Sequence, residues 1–179
     1  MMKKSMPSFS RPKSISHSMA SFAAMNFWMN IRRSRILILW KQKEMKASTT
    51  LSNMTGLSPR DLQRYASACL QAYCHAKLIQ HPSIDALLAH LSRYPESGSL
   101  LEWERTGALL PLNGRGDDMP RDLAQSIASQ DIEEFSSLVD SVVEVGIVDM
   151  YGTPTTLPVE FIRKIAMILS QNNIDLPEI

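Results

Sequence analysis

Cysteine is scarce in this chain of 179 residues, which contains only two. Cys69 and Cys74 are both placed in one predicted helix, five positions apart. At that spacing their side chains do not lie over one another as residues four apart do, which argues against a disulfide between them. Two unpaired thiols are typical of a reducing compartment, so we expect a cytoplasmic protein.

The sequence also lacks an uninterrupted apolar run of the roughly 18 residues that a membrane-spanning helix needs. The closest candidate, 19–29, is followed at once by a segment that contains Arg32, Arg33 and Arg35. We therefore expect no membrane span. The apolar fraction of 44% and the charged fraction of 21% are ordinary for a globular protein. They allow a hydrophobic core that needs neither a metal nor a disulfide.

Acidic residues are almost absent from the first 48 positions, where Glu44 is the only one. Ten Lys and Arg give that part a formal charge of +9. The remainder has nine Lys and Arg against seventeen Asp and Glu, a charge of −8, so that the whole chain carries +1. This asymmetry predicts two parts with different physical roles, a basic extension over 1–54 and an acidic domain over 55–179.

The basic extension holds eight of the eleven methionines and many serines, and three interpretations of it are open. Its Arg and Ser content is typical of a transit peptide, and Lys3 and Lys4 ahead of the apolar run are typical of a secretory signal. We favour the third, in which Met45 or Met54 is the true start. We expect the extension to be poorly ordered, and nucleic-acid binding is disfavoured because no groove-reading motif accompanies the charge.

Apolar residues recur at helical spacing through the acidic domain, between recognisable start and stop signals. Ser58, followed by Pro59 and Asp61, is typical of a helix start. We predict an all-α fold, an irregular bundle of about six short helices joined by short loops. The predicted helices are 59–79, 83–93, one from Ser99 to Gly107, one opened by Pro120, one opened by Asp131 whose end near Gly146 is open, and one from Pro158 to a stop at Asn172-Asn173.

A candidate binding surface combines the third predicted helix with the loop that follows it. We expect the loop over 109–120 to be mobile, because Asn113-Gly114 is a tight-turn dipeptide. An aromatic side chain among acids, beside a mobile loop, is typical of a surface that binds a basic partner through an anchor and charge steering. The residues of this surface are Trp103, Glu102, Glu104, Asp117 and Asp118.

These features predict a non-catalytic interaction protein, whose acidic domain binds a basic macromolecular partner. A small cytoplasmic immunity or antitoxin-like protein is the concrete version, similar in general character only. The alternative is a carboxylate- or metal-dependent enzyme centred on 102–118. That alternative requires His90, Glu102, Asp117 and Asp118 to converge in one pocket.

Potential metal ligands and nucleophiles occur together in the first half of the acidic domain, without a recognised pattern. The spacing provides no Cys-x-x-Cys and no His-x-x-x-His, so we expect no metal and no cofactor. Neighbouring residues point to different sides of a helix, which excludes Cys74 and His75 as a nucleophile and its base. We therefore predict no catalytic residue here. The residues concerned are Cys69, Cys74, His75, His81 and His90.

Overall fold

The computed structural model describes residues 54–94, 99–150 and 152–178. Apart from Met54, the basic extension lies outside these residues. The expectation that it is poorly ordered therefore concerns a part of the chain that the structure does not describe. The described backbone is helical and contains no strand, which confirms the all-α class. None of the helices in this part combines the length and the apolar character that crossing a membrane requires.

Six α-helices follow one another through the described ranges, in the predicted order. Short 3-10 turns precede the first and the fifth of them, at Met54–Gly56 and Ser129–Asp131. The bounds of the helices are α1 Pro59–Lys77, α2 Pro82–Ser92, α3 Leu100–Ala108, α4 Arg121–Ser126, α5 Ile132–Ile147 and α6 Leu157–Gln171.

Two of the helix starts are formed by the serine caps that the sequence predicts. The Ser58 hydroxyl accepts a hydrogen bond from the backbone N–H of Asp61 at 3.2 Å and donates one to the Asp61 carboxylate at 2.6 Å. The Ser99 hydroxyl accepts from the backbone N–H of Glu102 at 3.3 Å. Each cap satisfies a backbone donor that has no partner within the first turn of its helix.

Two of the helix ends use a residue in the left-handed conformation. Beyond α6, Asn173 has a φ of 57° and the N–H of Ile174 bonds to the carbonyl of Leu169 at 2.9 Å. This Schellman-like arrangement forms the stop at Asn172-Asn173 that the sequence predicts. Beyond α1 the same position is taken by Leu78, with a φ of 56° and an exposed side chain, where glycine is the usual residue.

The core forms around α5, which packs against both α1 and α6, while α1 and α6 also contact each other. The apolar stripe predicted for α5 faces inwards, because its members recur every three or four residues. Burying each large apolar side chain contributes about 1.5–3 kcal/mol to folding. The largest buried side chains of this three-helix core include Leu70, Tyr73, Phe135, Leu138, Ile162 and Leu169.

A polar cluster joins α1, α5 and the end of α6. The Tyr73 hydroxyl donates to Glu134 Oε1 at 2.8 Å, and the Asn172 side-chain amide donates to the same oxygen at 2.7 Å. Beside them, Lys77 Nζ lies 3.0 Å from Asp131 Oδ1. Burial, and then the hydrogen bond to Glu134, raises the pKa of Tyr73. Bonds to a charged acceptor are stronger than neutral ones, so this cluster fixes how the three helices meet.

Gly146 does not end α5, which continues through it to Ile147. A Cβ added at this glycine would lie 2.3 Å from Gln63 Oε1 and 3.3 Å from Trp103 Cη2. Gln63 is fully buried, and its amide nitrogen donates to the Val142 carbonyl at 3.1 Å. The glycine is therefore explained by the close approach of α1 and α3 to α5, which leaves no room for a side chain.

Candidate functional site

Trp103 lies beneath the predicted binding surface, with only 6% of the residue exposed. Its ring stacks on that of His90 at a centroid distance of 4.6 Å and an interplanar angle of 14°. The Tyr94 ring meets it edge-on at 4.7 Å, and the indole N–H donates to the His90 carbonyl at 3.0 Å. An aromatic anchor has to be accessible to its partner, so Trp103 here belongs to the core and supports the surface from below.

The four predicted carboxylates have different surroundings. Glu102, Asp117 and Asp118 are exposed. Glu104 is partly buried, and its Oε1 accepts from Arg115 Nη1 at 2.6 Å while its backbone carbonyl accepts from Arg115 Nη2 at 3.3 Å. Glu104 is therefore neutralised by a side chain of the following loop, and the other three carry the accessible negative charge.

The loop over 109–120 is held in place by contacts, contrary to the mobility expected from its composition. The buried Asn113 side chain accepts from the N–H of Arg115 at 3.1 Å and donates to Asp117 Oδ2 at 2.7 Å. Gly114 has a φ of 64°, and a Cβ there would lie 2.5 Å from Val143 Cγ2. The predicted tight turn is thus present, but its packing against α5 orders the loop.

The residues required by the enzyme alternative differ in burial. His90 lies in the interior, where a Cβ added at Gly107 would be 2.6 Å from its Nε2 atom. Glu102, Asp117 and Asp118 are exposed on the surface. Over the ranges that the structure describes, no group of three or more His, Cys, Asp or Glu is arranged to hold a metal ion.

The two cysteines are buried in α1, where Cys69 lies on the core side. Burial raises the pKa of Cys69 to about 12. Burial, and then the charge of Asp85, raises the pKa of Cys74 to about 12. Nucleophilic attack and metal binding use the thiolate, so neither cysteine is suited to them at neutral pH.

We expect both thiols to react slowly in the folded protein. At pH 8 a pKa of about 12 in place of the usual 9.0 reduces the thiolate fraction about a thousandfold, and burial also restricts access. Titration with Ellman's reagent before and after addition of guanidinium chloride measures the difference. Rapid reaction of either cysteine in the native protein would contradict the burial described here.

Two further histidines have separate structural explanations. His81 caps α2, because its Nδ1 accepts from the N–H of Ser83 at 3.2 Å and its Nε2 lies 3.2 Å from Asp122 Oδ2. The pKa of Asp122 is held below its usual range, first by the backbone N–H of Leu123 and then by His81. His75 is exposed on α1. The sequence does not indicate that the His81 ring is the cap of this helix.

Exposed leucines supply an apolar element that the sequence did not single out. Leu101 is 43% exposed and Leu109 is 85% exposed. In α3, Leu101 shares a face with the exposed Arg105, and Leu109 follows the last turn. The α3–loop surface is defined here as the exposed residues Leu101, Glu102, Leu109, Asp117 and Asp118. The sequence shows that Trp103 and Leu101 occupy different faces of the same short helix, but it does not show which face is exposed.

A second concave feature lies elsewhere, between α1 and the segment that follows α6. It is an open groove with a volume of about 650 Å³. Alanines four residues apart on α1 form one wall, and this spacing was visible in the sequence. Residues that line the groove include Ala68, Ala72, Ala76, Asn172, Ile174 and Pro177.

Comparison of this chain with protein-family models, with curated proteins and with solved structures gives no match. Neither a shared fold nor a relative therefore indicates an activity. The function has to be argued from the surface chemistry of the chain itself, and the α3–loop surface is where exposed charge and exposed apolar side chains occur in one ordered segment.

Proposed function

We propose that this protein is a non-catalytic interaction protein whose acidic helical domain binds a basic macromolecular partner, in the manner of a small cytoplasmic immunity or antitoxin-like protein. The observation that carries the proposal is that the α3–loop surface is held in one conformation by contacts within the protein. Its exposed carboxylates Glu102, Asp117 and Asp118 stand on a segment fixed by the Glu104–Arg115 ion pair and by Asn113. A surface ordered before binding loses less conformational entropy on association.

The charge distribution favours a basic partner. Between Asp122 and Ile162 the sequence contains eight Asp and Glu and no Lys or Arg. Lys77 pairs with Asp131, which compensates one of these charges. Negative charge of this extent accelerates encounter with a positively charged molecule and disfavours acidic ones, including nucleic acids.

The apolar contribution to binding comes from leucines in this proposal, and Trp103 has a supporting role. Leu109 is the most exposed apolar side chain beside the carboxylates, and Leu101 lies on the same short helix. An apolar contact surrounded by charged groups is a common arrangement in interfaces, where the centre is desolvated and the rim stays polar. The partner is expected to place an apolar side chain between basic ones.

Neutralising the exposed carboxylates should weaken the complex. The test first captures partners from a host extract with the full chain and identifies them by mass spectrometry. Binding of a captured basic partner is then measured by calorimetry at low and at high salt. We expect the triple variant Glu102→Gln, Asp117→Asn, Asp118→Asn to bind about tenfold or more weakly and to show a smaller salt dependence.

A matched control removes the same number of charges elsewhere. The variant Asp85→Asn, Glu160→Gln, Glu178→Gln changes exposed acids on α2, on α6 and after α6. It alters the net charge equally, so it should reduce the association rate without a comparable loss of affinity. Equal weakening by both variants would place the interface elsewhere, and partners that are not basic or whose binding is independent of salt would contradict the proposal.

A further inference from the structure

His90 occupies an unusual position at the junction of α2 and α3. It is 8% exposed, and its ring lies flat against Trp103. Gly107 of α3 approaches its Nε2 atom so closely that a Cβ there would be 2.6 Å away. Within the part of the chain that the structure describes, no hydrogen bond reaches the imidazole ring; the one near it goes to the backbone carbonyl of His90.

The charged groups around this ring disfavour a second proton on it. Burial lowers the pKa of His90 most, followed by the positive charges of Arg93 at the end of α2 and Arg115 in the loop. The carboxylate that α3 contributes nearby, Glu104, is engaged by Arg115 at 2.6 Å. Contact with the Trp103 face offsets part of the cost of charging the ring, because aromatic faces attract cations.

We propose that His90 is a proton-sensitive latch, which holds α3 against α2 while its ring is neutral and releases α3 when the ring is protonated. Three of the contacts that join these helices involve His90 directly. They are the stacked ring of Trp103, the indole N–H bonded to the His90 carbonyl, and the fit against Gly107. In the closed state a protonated ring is largely screened from solvent, and separation of α3 from α2 exposes it fully.

The latch has a consequence for binding, and this consequence alone rests on the proposed function. α3 carries Glu102 and, through Glu104, the ion pair that fixes the loop. Opening of α3 at acidic pH would therefore dismantle the α3–loop surface, and an acidic environment would release the partner. The latch itself is a property of the chain without any partner and is tested without one.

The direction of the pH effect follows from proton linkage. The closed state binds the proton less tightly than the open state, so opening takes up a proton and becomes easier as the pH falls. Above the ordinary histidine pKa of about 6.5 both states are neutral, and the equilibrium does not depend on pH through this group. Below it, the ratio of closed to open molecules falls with pH until the closed state also becomes protonated, and the total change is set by the difference between the two pKa values.

Amide hydrogen exchange on the full chain between pH 7.5 and 5 tests the latch, with rates corrected for the pH dependence of intrinsic exchange. We expect the protection of amides in α3, Leu100–Ala108, to fall as the pH drops below about 6.5, by a total factor set by how far the measured His90 pKa lies below that value. At each pH it should stay below the protection of α1, because α3 opens while the three-helix core remains folded. A parallel NMR titration of the His90 ring should give a pKa below 6.5.

Matched variants separate the latch from a general acid effect. His90→Phe keeps an aromatic ring beside Trp103 but cannot take up a proton, so it should abolish the pH dependence of α3 protection. His75→Gln removes an exposed histidine of α1 and should leave the response unchanged. The latch is overturned if His90→Phe retains the response, if α3 and α1 show equal protection at every pH, or if His90 titrates at or above pKa 6.5. The last two readouts use the wild-type protein and decide the question even if His90→Phe fails to fold.

Discussion

Replacing Trp103 by alanine is expected to lower the free energy of unfolding by about 3–5 kcal/mol, the range found for buried large aromatic residues. The side chain is 6% exposed, stacks on His90 and meets Tyr94 edge-on. Its removal leaves a cavity between α2, α3 and α5, and the His90 carbonyl loses the indole donor. Urea denaturation followed by circular dichroism measures the change without relying on tryptophan fluorescence.

Leu109→Ala is the matched control for this prediction. Leu109 directly follows α3 and is 85% exposed, so its truncation should change stability by less than about 0.5 kcal/mol. The pair distinguishes two roles for Trp103. If Trp103→Ala is as stable as Leu109→Ala and still loses the partner, then Trp103 is the accessible anchor that the sequence predicts and not a core residue.

The helices could be predicted because most of their determinants are local. A serine cap contacts a backbone N–H three residues away, as Ser58 and Ser99 do, and the Asn173 stop contacts its own last turn. The apolar stripe of α5 is a property of one helix face. Such features lie within four or five residues of sequence, so spacing alone identifies them.

The candidate site could be predicted only in part, because its geometry depends on distant residues. Trp103 is buried by His90, thirteen positions away, and nothing in the sequence around Trp103 indicates which face will be covered. The composition of the loop indicated mobility, because the contact that orders it comes from Val143 of α5, which is distant in the sequence. The sequence treated the four acidic residues as one group, whereas pairing with Arg115 separates Glu104 from the three exposed ones.

Gly146 shows how packing can reverse the effect of a residue on stability. Considered locally, a glycine in a helix is unfavourable by about 1 kcal/mol relative to alanine, so the sequence left the end of α5 open there. In the fold the same glycine lies against Gln63 and Trp103, which are both buried. The cost of glycine to helix formation is therefore offset by the contacts that its missing side chain permits.

Gly146→Ala is accordingly expected to destabilise the protein by about 1–3 kcal/mol, although alanine is the better helix former. The added methyl would lie 2.3 Å from Gln63 Oε1, and a shift of this buried amide away from it would disturb the hydrogen bond from Gln63 to the Val142 carbonyl. In a Gln63→Ala background the methyl has space, so the same change should become neutral or stabilising, a coupling that a double-mutant cycle by urea denaturation measures. A gain in stability from Gly146→Ala in the wild-type background would show that α1 and α3 do not approach α5 as closely as described.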